Sequence, residues 1–144
     1  MPSRVLLVEE DEVLKQSIVR ALRARGIGVD AYGSATEALQ AAQAGATWGR
    51  ALIDLSLREM DGATLAERLL AHLPELELTF ATGGADARVL CHAHALGVVI
   101  SKPIGLGPLC ERFSSAVRRS GVVARATPRA DVAPAAGPRL VRRG

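Results

Sequence analysis

The sequence predicts an α/β fold: a parallel sheet of five strands, doubly wound by helices, in the order 2-1-3-4-5. Three observations carry this expectation. Short apolar runs of strand length alternate with segments of helical period along the 144 residues. That alternation implies a parallel sheet covered on both faces. The strand segments are mostly unbroken apolar runs, as strands buried on both faces should be. Right-handed crossovers then place helices on the two sides of the sheet. The length suits one domain with a real core, and 49% apolar residues suit a globular chain.

The elements follow in chain order. Arg4 to Val8 is the first strand, ending abruptly in Glu9-Glu10-Asp11-Glu12. Leu14, Ile18, Ala21 and Leu22 recur at helical spacing, and Gly26 and Gly28 end that helix. Ile27, Val29 and Ala31 alternate with polar or small residues into a second strand that closes at Tyr32-Gly33. Ser34-Ala35-Thr36-Glu37 is a capping box, so a helix starts there and runs to Gly45. The third strand, Ala51-Leu52-Ile53, stops on Asp54. Leu65, Ala66, Leu69, Leu70 and Leu73 mark the third helix, ended by Pro74. Leu76 to Thr82 reads as the fourth strand, before Gly83-Gly84. Val89, Leu90, Ala93 and Leu96 give a fourth helix, stopped by Gly97. Val98-Val99-Ile100 is the fifth strand, followed by Ser101-Lys102-Pro103. Pro108 suits the first position of the last helix, with Leu109, Phe113, Ala116 and Val117 on its inner face.

Composition excludes several functions. The net charge of +3 is small, and much of the excess lies at Arg118, Arg119, Arg125, Arg129, Arg139, Arg142 and Arg143. The aromatics are only Tyr32, Trp48, Phe80 and Phe113. A stacking platform for single-stranded nucleic acid is therefore not expected. Cys91 and Cys110 are far apart and form no CxxC. Cys91 and His94 would share a helix face beside His92, but a zinc site would lack its fourth ligand. No apolar run reaches membrane length, and Val5-Leu6-Leu7-Val8 is too short for a signal peptide. The setting read from this is reducing and cytoplasmic.

The chemistry gathers at the strand ends. Burying an ionised carboxylate is costly without a partner, so a strand that stops on Asp54 needs a reason. Ligands of doubly wound sheets bind beyond the strands' carboxyl ends, at the switch point between the first and third strands. Glu9 and Glu10 end one of those strands and Asp54 the other. Clustered carboxylates call for a cation, and oxygen ligands with retained waters suit Mg²⁺. An acidic helix start accounts for Asp11 and Glu12 without any site. Thr82 and Lys102 end the fourth and fifth strands. Lys102 and Lys15 are the only lysines in an arginine-rich chain. A compact ammonium at a strand end suits a small anion. Trp48, just before the third strand, offers a fluorescence reporter for a metal titration.

VLLVEEDE, ALIDLSLREMDG, LTFATGG and VVISKP, in that order and spacing, resemble the receiver domain of two-component response regulators. The resemblance covers about Arg4 to Arg119 and implies a flavodoxin-like (βα)5 fold of the chemotaxis-receiver kind. It implies that Asp54 accepts a phosphoryl group from a sensor histidine kinase or a phosphotransfer protein. Glu9 and Glu10 then match the acids that bind Mg²⁺ with Asp54, joined by the backbone carbonyl of Ser56. Thr82 matches the switch hydroxyl, and Lys102 the lysine that contacts the phosphoryl group, with a cis bond before Pro103. The implied output is a contact with a downstream protein, with no direct DNA binding by the receiver and no membrane. A weak homodimer is compatible. The only implied catalysis is the domain's own aspartyl phosphorylation and dephosphorylation, and no organic cofactor is implied.

Three positions depart from the pattern: Glu10 where Asp is usual, Arg58 where the loop usually has Pro, and Val99 in place of an aromatic switch residue. Glu10 and Val99 suggest the alternative of a pseudo-receiver, an interaction module with a weakened or absent switch. A flavodoxin-like cofactor protein ranks last, because Glu9 to Glu12 would repel a phosphate where that class cradles one. The receiver domain is expected over residues 1–120. Residues 121–144, rich in Ala, Pro and Arg, read as a disordered tail that is either inert or a basic docking segment.

Overall fold

The structure, a computed structural model, describes residues 4–120, with side chains through residue 114. The expected tail at 121–144 lies outside the described residues. The element order is β1 (Val5–Val8), α1 (Glu12–Ala24), β2 (Val29–Tyr32), α2 (Ala35–Gln43), β3 (Arg50–Asp54), α3 (Gly62–His72), β4 (Glu77–Thr82), α4 (Ala87–Leu96), β5 (Val98–Ser101) and α5 (Leu106–Ser120). The strands are parallel, in the order β2-β1-β3-β4-β5, as the sequence predicts.

The central strands are apolar on both sides because both sides are covered. Leu6 and Val8 of β1 share a buried cluster with Ala51 and Ile53 of β3, Leu78 and Phe80 of β4, and residues of α2, α3 and α4. Their neighbours Val5, Leu7 and Leu52 are equally buried on the other face, the side of Ile18, Val19 and Leu22 from α1. The edge strands are less enclosed: β5 leaves Val98 45% exposed. The described residues up to Cys110 form one compact unit, and the described residues from Glu111 on belong to a second. Leu109, Cys110 and Phe113 of α5 are buried.

Short polar side chains start the helices. Asp11, Ser34, Asp61 and Asp86 each accept a backbone N–H three residues on, which supplies one of the donors a helix start leaves free. The capping box at Ser34 is present with one change. Glu37 reaches back to the N–H of Gly33 instead of Ser34. The last helix differs from the expectation: it starts at Leu106, so Pro108 lies inside its first turn. Nothing is lost there, because the N–H groups of a first turn have no partner within the helix.

The register positions the site. Val8 of β1 pairs with Ile53 of β3, so Glu9 and Asp54 leave the sheet side by side. Thr82 pairs with Ser101, which puts Lys102 just past the end of β4. Gly62 closes the approach of α3 to β3. Its N–H donates to the carbonyl of Leu55, and a Cβ at this position would collide with the backbone carbonyl of Asp54.

The opposite end of the sheet has its own polar anchor. Asp30 of β2 accepts from Arg4 Nε at 2.9 Å and from Trp48 Nε1 at 2.8 Å. Trp48 also meets Tyr32 edge to face, with ring centroids 6.2 Å apart. Trp48 thus precedes β3 at the end remote from Asp54, and its indole is engaged with Asp30. This position does not suit it as a direct reporter for a cation near Asp54.

Two tests arise from this architecture. Gly62→Ala should lower the stability to urea by about 1–3 kcal/mol, because the added methyl forces α3 off β3. An unchanged unfolding midpoint would show that the two elements are not in close contact. The hydrogen bonds from Arg4 hold the Asp30 carboxyl below its ordinary value of 3.8, with burial opposing and Trp48 assisting. A carboxyl lowered in the fold contributes stability above its ordinary value and loses it as pH falls through the folded value. Asp30→Asn should therefore be less stable than the parent by about 1 kcal/mol at pH 7, with the gap closing in acid. Trp48 fluorescence follows this unfolding, and a gap independent of pH would contradict the assignment.

Candidate functional site at the carboxyl end of the sheet

Glu9, Asp54 and Lys102 meet beyond the ends of β1, β3 and β5. Lys102 Nζ stands 3.2 Å from Glu9 Oε1 and 3.2 Å from Asp54 Oδ2. Glu9 is 3% exposed and Asp54 6%. Each acid has one further anchor. Asp54 Oδ1 accepts the N–H of Ser56 at 2.9 Å, and Glu9 Oε2 accepts the N–H of Asp11 at 3.1 Å. The bond before Pro103 is cis, as the resemblance implies.

The electrostatics of the group are those of two acids sharing one base. Burial pushes the Glu9 carboxyl above its ordinary range. Asp54 adds to that rise, while the N–H of Asp11 and the ammonium of Lys102 oppose it. Burial works against the charge on Lys102, yet Asp54 and Glu9 outweigh it and hold the ammonium above the usual lysine range. Fully ionised, the three side chains sum to a charge of −1, so the cluster is short of positive charge.

Thr82 is buried at the end of β4, and its Oγ1 accepts the N–H of Gly84 at 3.0 Å. The carbonyl of Thr82 accepts the N–H of Lys102 at 2.8 Å, which ties the ends of β4 and β5 together. Ser56 follows Asp54 in the β3–α3 loop.

Glu10 is placed otherwise. Its Oε2 accepts the backbone N–H of Arg58 at 2.7 Å, and its Oε1 lies 3.8 Å from Arg58 Nε. Asp11 caps α1 and Glu12 pairs with Lys15, so both serve the helix start. The other sequence candidates stand elsewhere in the fold. Cys91 is exposed on α4, and His92 Nε2 lies 3.4 Å from Glu67 Oε2 of α3.

The donor set fits a small hard dication. Glu9 and Asp54 offer carboxylate oxygens beside a single ammonium, and the loop supplies backbone carbonyls. Among the described residues no three His, Cys, Asp or Glu side chains converge closely enough to hold an ion by themselves. The remaining ligands would be water or a phosphate, the usual situation for Mg²⁺. Among the described residues no helix is long and apolar enough to cross a membrane.

Two contacts of the loop were not foreseen from the sequence. Arg58 holds Glu10 through its backbone, and Glu59 Oε1 accepts the N–H of Thr36 at 3.0 Å at the start of α2. Neither has a local sequence signal, because the partners lie 48 and 23 residues apart.

The chain is similar to known proteins along most of its length. The response regulator receiver domain family matches residues 5–114. The response regulator receiver protein CpdR of Brucella abortus is 32% identical over 108 residues, which cover 74% of this chain and 89% of that protein. The sensor protein TorS of Escherichia coli is 33% identical over 75 residues, covering 52% of this chain and 8% of that one. The chain thus spans only a small part of some relatives and most of another. Among solved structures, a signal receiver domain of an HD domain-containing protein from Pseudomonas fluorescens superposes with a TM-score of 0.74 at 26% identity, covering 82% of this chain and 96% of that one. A receiver domain protein from Methanospirillum hungatei gives a TM-score of 0.75 at 24% identity over 82% and 95% of the two chains, a likeness of fold alone. With the family matched along most of its length and its sheet order shared, the chain belongs to the response regulator receiver domains of two-component systems.

Proposed function

We propose that the chain is a phosphorylatable receiver, over residues 1–120, in which Asp54 takes a phosphoryl group from a phosphohistidine. The donor is a sensor histidine kinase or a phosphotransfer protein, and the output is a contact with a downstream protein. The observation that carries this reading is the pairing of buried Asp54 with Lys102 at 3.2 Å, at the ligand-binding end of the sheet. The family membership supports the donor class.

The chemistry follows from the residues. A carboxylate oxygen of Asp54 attacks phosphorus in line with the phosphorus–nitrogen bond of the donor. That bond breaks as the oxygen–phosphorus bond forms, and the imidazole nitrogen keeps the electron pair and takes up a proton. Such a transfer asks mainly for positioning and charge neutralisation. Lys102 faces the attacking carboxylate and neutralises the oxygens that arrive. The hydroxyl of Thr82 accepts from Gly84, which leaves its own proton free to donate to a phosphoryl oxygen. Glu9, Glu10, Asp54 and the carbonyl of Ser56 would hold Mg²⁺. When bound, the ion supplies the positive charge that the acid cluster lacks.

Intact mass after incubation with acetyl phosphate and Mg²⁺ tests this. One phosphoryl addition is expected for the parent chain and none for Asp54→Asn. If the Asn variant still gains the mass, another residue is the acceptor and the assignment fails.

A further inference from the structure

Two glutamates tie the β3–α3 loop to its surroundings. Glu59 is bonded to the N–H of Thr36 at the start of α2, and Glu10 to the N–H of Arg58. The Glu10 contact, at 2.7 Å, is short for an N–H donor and is assisted by the carboxylate charge. The guanidinium of Arg58 adds little. Its side chain is 91% exposed and its Nε stands 3.8 Å from Glu10 Oε1, an arrangement that contributes weakly in water. The group that holds Glu10 is therefore a backbone N–H, which any residue but proline would supply at this position.

This bond turns Glu10 toward the loop while its neighbour Glu9 joins Asp54 at Lys102. We propose that the N–H of Arg58 is a positioning group that withholds Glu10 from the acid cluster, so that divalent-cation binding and release of the loop are linked. A cation held by Glu9 and Asp54 draws Glu10 off Arg58 and frees the loop between Ser56 and Asp61. By reciprocity, whatever keeps Glu10 on Arg58 weakens the cation site by the same factor. The inference rests on the reading of Glu9, Glu10 and Asp54 as cation ligands.

Two substitutions remove the same bond from opposite ends. Arg58→Pro deletes the donor, and Glu10→Asp shortens the acceptor by one methylene. The test is a calorimetric titration of the full chain with Mg²⁺ alone, followed in parallel by the backbone amide spectrum. Each variant should bind Mg²⁺ about tenfold more tightly than the parent, the weight of one lost hydrogen bond to a charged group. The double variant should bind no more tightly than either single one, because both remove one interaction. Arg58→Ala keeps the N–H and should stay within about twofold of the parent, as should Glu59→Gln, which alters only the loop's contact with Thr36. In the parent, Mg²⁺ should move the Arg58 amide resonance away from its charge-bonded position. If Arg58→Pro does not fold, Glu10→Asp and the Arg58 amide still decide the matter. Binding by the parent with an unmoved Arg58 amide and no gain in either variant overturns the linkage and leaves Glu9 and Asp54 as ligands. No Mg²⁺ binding by any variant overturns the cation reading itself, and the linkage with it.

Discussion

The ammonium of Lys102, between Glu9 and Asp54, is the interaction on which the site depends. The two acids are almost fully buried, and an ionised carboxylate in such a place is costly without a cation within reach. The order of the sheet makes the contact non-trivial. β5 is an edge strand, and β4 and β3 separate it from β1. The long side chain of Lys102, leaving the end of β5, reaches both acids. A guanidinium would have to present a planar fork to two separate carboxylates, whereas an ammonium serves both as a point charge. The single base also leaves the cluster deficient in positive charge, a deficit that a dication would offset.

The fold supports this arrangement from below. The pairing of Val8 with Ile53 makes Glu9 and Asp54 neighbours. Gly62 lets α3 start against the carbonyl of Asp54, and Asp61 caps that start. The loop after Asp54 is therefore fixed at its far end by α3 and at its middle by Glu10 and Glu59.

Much of this was legible in the sequence, for identifiable reasons. Unbroken apolar runs between helical periods settle a parallel sheet, and the acids at the ends of VLLV and LID mark its binding end. Lys102 stood out against an arginine background. The sequence was silent where the outcome depends on rotamers and loop path. In the sequence Glu10 and Arg58 stand as two separate departures from the receiver pattern, yet in the fold they are partners in one hydrogen bond. No periodicity or spacing reports a bond between a side chain and a loop N–H 48 residues away. The sequence puts Trp48 just before β3, but its engagement with Asp30 at the far end of the sheet follows from tertiary packing alone.

The stability of Lys102→Met as a function of pH tests the central claim most directly. Without the ammonium, buried Glu9 and Asp54 face each other with no countercharge, and the cost falls in acid as the Glu9 carboxyl, which burial already pushes up, takes a proton. The account predicts a large deficit against the parent chain at neutral pH that shrinks steadily toward pH 4. A deficit of the same size at every pH would mean that Lys102 contributes packing alone, and would contradict the shared-ammonium account of the site.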